Sequence, residues 1–138
     1  MESSKSPSFI TLDVEVFSEE NLDLMADYFE KSAVVLANQE VDDLFFLRIE
    51  PRHNSKGELA PESCAQFMIG LLAELPDELE GLWKRATTKT FDFGFESGTE
   101  GSCYQSVISA ETLINIAKTG SSFTITIYQT PEEALEPT

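Results

Sequence analysis

The sequence predicts a single α+β domain: a two-layer sandwich in which helices pack on one face of a largely antiparallel, mixed sheet. Residues 9–17, 91–96 and 123–128 alternate apolar and polar side chains, the period of strands with one buried face. Segments between them repeat apolar residues at helical spacing. The chain of 138 residues, 41% hydrophobic with ten Phe, is long enough for one packed core.

The first part of the chain predicts a strand, a long helix and a second strand. Residues 9–17 form the strand, and Ser18 caps a helix that reaches residue 36. The apolar stripe of this helix comprises Leu22, Met25, Ala26, Phe29, Ala33 and Leu36. Residues 38–43 are expected to be an acidic connection. Residues 44–49, with five apolar side chains in six, predict an interior strand.

The middle of the chain predicts a loop and a pair of helices. Residues 50–61 form the loop, which holds a local group of basic or titratable side chains: Arg52, His53 and Lys56. Pro61 suits the first turn of the next helix. Pro76 breaks or kinks that helix, because its ring removes a hydrogen-bond donor and clashes with the preceding turn. A short second helix follows, with Lys84 and Arg85 near its negative end.

The last third predicts a strand, a turn at 97–101, a returning strand at 103–108, a helix and a final strand. Ser109 and Gly120 mark the two ends of this helix. We expect the hairpin to make the sheet antiparallel rather than doubly wound, and this unit to build the core. The predicted order is βαβ-αα-ββαβ, and a ferredoxin-like arrangement is one version of it.

Three runs in this part, FDFGFESG, SAETLINIAKTG and SSFTITIYQ, make the chain resemble a bacterial family known only as the domain of unknown function 4279 family. The resemblance lies mainly in residues 89–130. It implies an α+β domain and no established activity, so it assigns no functional residues.

The domain is expected to span residues 9–130, between a Ser-rich tail at 1–8 and an acidic tail at 131–138. The N-terminus has no apolar signal-peptide core, and no apolar run reaches the ~20 residues of a membrane span. The expected location is therefore the cytoplasm. Cys64 and Cys103 are interpreted as reduced core residues.

Charge gives the leading functional hypothesis. The net charge is −16, which disfavours direct binding of nucleic acid and of anionic membranes and favours a basic protein partner. We therefore expect a non-catalytic protein-interaction module, such as an acidic inhibitor or immunity-type protein. Its partner-binding residues would be the acids of the first helix and the following connection: Glu19, Glu20, Asp23, Asp27, Glu30, Glu40, Asp42 and Asp43.

Two other hypotheses remain open. One is a small-molecule-binding or enzymatic domain with a pocket between sheet and helices, for which the candidate residues are Asp13, Glu15, Arg52 and His53. Tyr104, Thr126 and Tyr128 could share an exposed binding face of the sheet. The other is a structural or oligomerising module, a homodimer formed through open sheet edges.

No motif predicts a catalytic residue, a metal site or a cofactor. A His-based metal cluster is excluded because His53 is the one histidine. Neither GxGxxG nor GxxxxGK[ST] occurs, so no phosphate-binding glycine loop is present. The acids at 40–43 lack the spacing of a calcium-binding EF-hand loop.

Overall fold

The computed structural model describes residues 5–52, 60–101 and 103–131, and it confirms an α+β fold with a mixed sheet. The elements in chain order are β1 (Ser8–Ser18), α1 (Asp23–Glu30), β2 (Ala33–Val41), β3 (Leu44–Pro51), α2 (Pro61–Ala73), α3 (Asp77–Arg85), β4 (Thr88–Glu96), α4 (Ala110–Lys118) and β5 (Ser122–Tyr128). None of the described helices is long and apolar enough to cross a membrane.

The sheet has the strand order β2-β3-β1-β4-β5. The pairs β2–β3, β3–β1 and β1–β4 are antiparallel, and β4–β5 is parallel. The order and directions of the first four strands match the ferredoxin-like split βαβ arrangement. The unit α4–β5 adds a fifth strand beside β4, and α4 is the crossover that a parallel pair requires.

One core lies between the sheet and all four helices. Its fully buried side chains come from one face of β1, β3 and β4 and from the helices above them: Leu12, Val14, Val16, Leu22, Met25, Phe29, Leu47, Ile49, Met68, Phe91 and Phe93. The opposite face of the sheet carries no helix among the described residues. We call it the open face, and it is where polar side chains of the strands collect.

The long first helix of the prediction is wrong beyond residue 30. α1 spans Asp23–Glu30, and Ala33–Val41 is a strand that the prediction divided between helix and loop. Ala33 and Leu36 fell at helical spacing by coincidence, whereas the β-branched pair Val34-Val35 favours a strand. Ser18 ends β1 and accepts a hydrogen bond from the Glu20 amide, so it caps a turn rather than the helix.

The acidic connection at 38–43 is mostly strand as well. β2 and β3 form a hairpin whose two loop residues, Asp42 and Asp43, have φ of 49° and 70°. Two successive positive φ values define the turn that matches the twist of paired strands, and Asp tolerates them better than most residues. Part of this acidic run therefore has a local structural explanation.

The predictions for α2 and α3 are confirmed. Pro61 is the first residue of α2, and Pro76 immediately precedes α3. Cys64 and Met68 of α2 and Leu79 and Trp83 of α3 are buried. The Trp83 indole N–H donates to the Thr119 carbonyl at 2.7 Å, which joins α3 to the end of α4.

The returning strand at 103–108 and its hairpin are wrong. β4 is an interior strand with β1 on one side and β5 on the other, so neither edge is free for an adjacent hairpin partner. The described residues 103–109 run without regular structure to α4. The turn itself exists: Gly98 and Gly101 have φ of 81° and 96°, and the Thr99 amide donates to the Lys5 carbonyl at 2.7 Å.

The helix prediction for α4 is confirmed at both ends. The Ser109 hydroxyl accepts a hydrogen bond from the Thr112 amide, and Gly120 has a φ of 83°. By contrast, the expectation that the last third builds the core is only partly correct. β4 supplies Phe91 and Phe93 to the core, but β5 is an edge strand whose apolar side chains are exposed.

Candidate functional site

Among the described residues, four carboxylates and Arg48 cluster on the open face of the sheet. In the register of β1 and β4, Asp13 lies directly opposite Asp92. In the register of β1 and β3, Glu15 lies opposite Arg48. Glu50, two residues after Arg48 on β3, projects from the same face because side chains alternate along a strand. We call Asp13, Glu15, Glu50 and Asp92 the open-face acids.

Asp13 is the central member, and its electrostatic environment is unfavourable. The carboxyl is half-buried, and one of its oxygens, Oδ1, is fully buried and has no hydrogen-bond partner among the described residues. Burial and the negative charge of Glu50, together with smaller effects of Glu15 and Asp92, raise the pKa of Asp13 from 3.8 to about 6 against the opposing effect of Arg48. A group with this pKa gives up part of its charge just below neutral pH.

Glu15 and Asp92 have side-chain partners on neighbouring strands. Arg48 Nε and Nη2 lie 3.1 Å and 3.0 Å from Glu15 Oε2, so Arg48 is engaged mainly with Glu15. The Thr126 hydroxyl donates to Asp92 Oδ1 at 2.7 Å, from the neighbouring strand β5. Asp13 Oδ1 has no comparable contact among the described residues.

A hollow of about 330 Å³ opens beside Asp13. It is lined by Ile10, Thr11, Asp13, Asp92, Gly94 and Tyr128. Gly94 makes room for it: a Cβ at this position would lie 3.4 Å from the Tyr128 ring and 3.5 Å from the Thr11 carbonyl oxygen. A register shift between Phe9 and Thr11 leaves Ile10 exposed, although strict alternation from the buried Leu12 would place it on the core face.

The predicted pocket residues separate into two places. Asp13 and Glu15 share the open face, as their spacing predicted. Arg52 lies at the end of β3 and donates to the carbonyls of Glu30 and Ala33, so it fixes the connection between α1 and β2. His53 lies outside the described residues.

The eight acids predicted to bind a partner are all exposed, but they surround α1 and the β2–β3 turn rather than the open face. Two of them have described partners. Glu20 forms a bidentate pair with Arg85 at 2.8 Å and 3.0 Å, which lowers the pKa of Glu20. Asp23 accepts from the Asn38 amide at 3.0 Å, a bond that joins α1 to β2.

Tyr104 does not share a face with Thr126 and Tyr128, contrary to the prediction. Thr126 and Tyr128 belong to the open face, whereas the Tyr104 ring packs against Phe95 on the helix side, with ring centroids 5.9 Å apart. Cys64 is buried, and burial raises the pKa of its thiol to about 11. Cys103 is exposed, so its assignment to the core is wrong.

Among the described residues, no three His, Cys, Asp or Glu side chains converge as metal ligands would. The influence of the other open-face acids on Asp13 is electrostatic, as its raised pKa indicates.

A second cavity, of about 390 Å³, lies between α2, α3 and the end of α4 and has a different character. Its apolar wall includes Leu72 and Trp83, and its rim carries Lys84, Lys89 and Lys118. Three of the nine basic residues of the chain thus surround one cavity. Lys89 Nζ donates to the Trp83 carbonyl at 3.0 Å, and burial lowers the pKa of Lys89.

Sequence reasoning missed Glu50 and Asp92 as neighbours of Asp13, and it missed the lysine-rimmed cavity. Alternation did place Asp92 opposite Phe91 and Phe93, so its face was predictable. Its distance from Asp13 depends on the pairing of β1 with β4, for which the sequence carried no signal. Glu50 was assigned to a loop because the predicted strand ended at residue 49, whereas β3 continues to Pro51.

Comparison with known proteins gives no further assignment: the chain matches no protein-family model, no curated protein and no solved structure.

Proposed function

We propose that this chain is a non-catalytic interaction module that binds a basic protein. The observation that carries the proposal is Asp13 on the open face, which lies among three other acids and has a buried oxygen with no hydrogen-bond partner among the described residues. A lysine or arginine from a partner would reduce the repulsion among these charges. The net charge of −16 would speed encounter with such a partner.

Two acidic surfaces compete as the contact region. The eight acids around α1 and the β2–β3 turn are exposed and extend the negative potential, but solvent already stabilises exposed charges. The open-face acids are partly buried, and burial and neighbouring charge disfavour the ionised form of Asp13, so a cation gains more there. We therefore assign the contact to the open face and the remaining acids to long-range attraction.

Calorimetric titration with a ten-residue lysine peptide tests this assignment. The open-face variant carries Asp13→Asn, Glu50→Gln and Asp92→Asn, and the matched control carries the same charge change at the β2–β3 turn: Glu40→Gln, Asp42→Asn and Asp43→Asn. We expect the open-face variant to weaken binding at least tenfold more than the control. Equal losses in the two variants would place the contact elsewhere.

The dependence of binding on salt and pH provides a second check of the proposed contact. Salt screens attraction between opposite charges, so affinity should fall steeply as salt rises. Affinity should also fall as the pH drops below about 6, where Asp13 becomes protonated. Absence of binding at low salt and neutral pH would reject the proposed function as a whole.

The lysine-rimmed cavity supports a second candidate function, the binding of a small anionic ligand with an apolar body. Leu72 and Trp83 would contact the body, and Lys118 would pair with the anionic group. The anionic dye anilinonaphthalene sulfonate, displaced by decanoate, is a suitable probe. Lys118→Met should reduce decanoate affinity about tenfold, the factor that about 1.4 kcal/mol represents. Lys31→Met, at the end of α1, is the control, and equal affinities in the two variants would reject this candidate.

A further inference from the structure

The edge strand β5 has the composition of a buried strand but lies at the surface. Its seven residues, SFTITIY, include no charge and no proline. Phe123, Ile125 and Ile127 alternate on the helix side and are 41%, 55% and 65% exposed. Among the described residues, β5 pairs only with β4. Natural edge strands are usually protected by charge, proline, a bulge or a covering element, because a bare edge pairs with other chains.

The surface next to this strand is largely apolar, with Glu96 and Glu100 at one end. A hollow of about 230 Å³ between α4 and β5 is lined in part by Ile108, Leu113 and Phe123. A second, of about 480 Å³, continues along the strand past Tyr104 and Ile127. We call β5 and these two hollows the β5 edge.

Charge is distributed unevenly with respect to this edge. Residues 101–131 contain one acid, Glu111, and one base, Lys118, so the net charge of −16 resides in the rest of the chain. Two copies that approach each other through the β5 edge therefore meet with less repulsion than through the acidic surfaces around α1 or the open face.

From this we propose that the β5 edge binds a second copy of the chain through antiparallel pairing of the two β5 strands. A two-fold axis that pairs Ile125 with its own copy also pairs Phe123 with the copy's Ile127. Odd-numbered residues then meet odd-numbered residues, so the apolar side chains of both copies lie on one face of a continuous ten-stranded sheet.

The two ends of the edge carry opposite charge, and antiparallel pairing matches them. Glu96 and Glu100 lie at the end of β5 near Tyr128. Lys89 lies at the opposite end, where its Nζ would be 3.3 Å from a Cβ added at Gly120. A two-fold axis through the middle of β5 places the acidic end of each copy beside the basic end of the other, whereas parallel pairing would bring like charges together.

This proposal is independent of the proposed function, and salt separates the two. A complex with a basic partner weakens as salt rises. A dimer held by apolar side chains and backbone hydrogen bonds between two acidic molecules should persist at about 0.5 M salt, where electrostatic screening is nearly complete.

Sedimentation equilibrium of the full chain measures the outcome. Because dimerisation follows mass action, we expect the mass of the wild type to rise towards twice 15.3 kDa as its concentration increases to about 100 µM. Ile125→Lys should return the mass to 15.3 kDa while circular dichroism shows an unchanged fold. Leu24→Lys adds the same charge to an apolar side chain that is 61% exposed on α1, and it should leave the dimer intact.

Ile127→Lys, at the most exposed of the three apolar positions of β5, provides a second variant in case Ile125→Lys does not fold. A monomeric wild type over the whole concentration range would overturn the proposal. A dimer that survives both lysine substitutions on β5, or one that Leu24→Lys dissociates, would overturn it equally, because the contact would then lie on another surface.

Discussion

Replacement of Asp13 by Asn should stabilise the protein above pH 6. The substitution keeps the shape of the side chain and removes one of four neighbouring negative charges. A carboxyl whose pKa rises from 3.8 to about 6 on folding costs roughly 3 kcal/mol when fully charged, at about 1.4 kcal/mol per pH unit. Because Asp13 is only half-buried, solvent screening reduces this to about 1–2 kcal/mol.

The sign follows from proton binding. The folded-state pKa of Asp13 lies above the unfolded value, so the folded protein holds more protons between about pH 4 and 6. The destabilisation is therefore complete above pH 6 and disappears as the pH falls towards 4. The variant should exceed the wild type in stability by about 1–2 kcal/mol above pH 6, and the two should converge near pH 4.

Urea unfolding followed by circular dichroism at pH 7.5, 5 and 4 measures this difference, with pH values chosen on either side of about 6. Asp27→Asn, which removes the same charge from an exposed position on α1, corrects for the general relief of net negative charge. If the two variants gave the same gain at pH 7.5, or if the gain for Asp13→Asn persisted unchanged at pH 4, the reasoning about burial and neighbouring charge would be refuted.

Three further substitutions test how the structure is held together. Glu62→Gln removes the carboxylate that accepts hydrogen bonds from the Ser109 amide and hydroxyl. Since these bonds lower the pKa of Glu62, their contribution to the stability of the wild type should be lost as the pH falls below 4.5. In the variant, hydrogen exchange of the α4 amides should accelerate. Gly98→Ala places a Cβ 2.5 Å from backbone at a φ of 81°, so it should destabilise by about 1–3 kcal/mol in urea unfolding, whereas Gly70→Ala, in open space on a helix, should not. Trp83→Phe removes the 2.7 Å hydrogen bond to the Thr119 carbonyl and leaves this acceptor unsatisfied, which should cost about 1–3 kcal/mol. The melting temperature measured by calorimetry should therefore fall by several degrees. An unchanged melting temperature would show that this hydrogen bond does not stabilise the fold.

The helices and strands that have strong local sequence signals were predicted correctly. Pro61 and Pro76 set the starts of α2 and α3, and Ser109 and Gly120 set the two ends of α4. Alternation predicted β1, β4 and β5. Each of these signals acts within a few residues along the chain, so sequence alone was sufficient. The resemblance to the domain of unknown function 4279 family stays a prediction.

The errors arose where the outcome depends on contacts distant in sequence. Residues 33–36 contain apolar side chains compatible with either a helix or a strand, and pairing with β3 decides for the strand. The segment 103–108 reads as a strand, but β4 already has β1 and β5 as neighbours. The prediction of the candidate site was incomplete for the same reason. Alternation along β1 places Asp13 and Glu15 on one face, whereas their proximity to Asp92 and Glu50 depends on strand order.

The environment of Asp13 connects the stability of the protein to its proposed function. At neutral pH the free protein would be more stable with a neutral side chain at this position, since burial and the charges of Glu50, Glu15 and Asp92 together outweigh the opposing effect of Arg48. A cationic group bound at the open face removes that cost, so the free energy lost in folding is recovered in binding. Lowering the pH through about 6 should therefore strengthen the fold and weaken the complex, and both changes should follow the protonation of the same residue. If Asp13→Asn removed the pH dependence of stability but left that of binding unchanged, the two processes would involve different groups, and the open face would not be the contact surface.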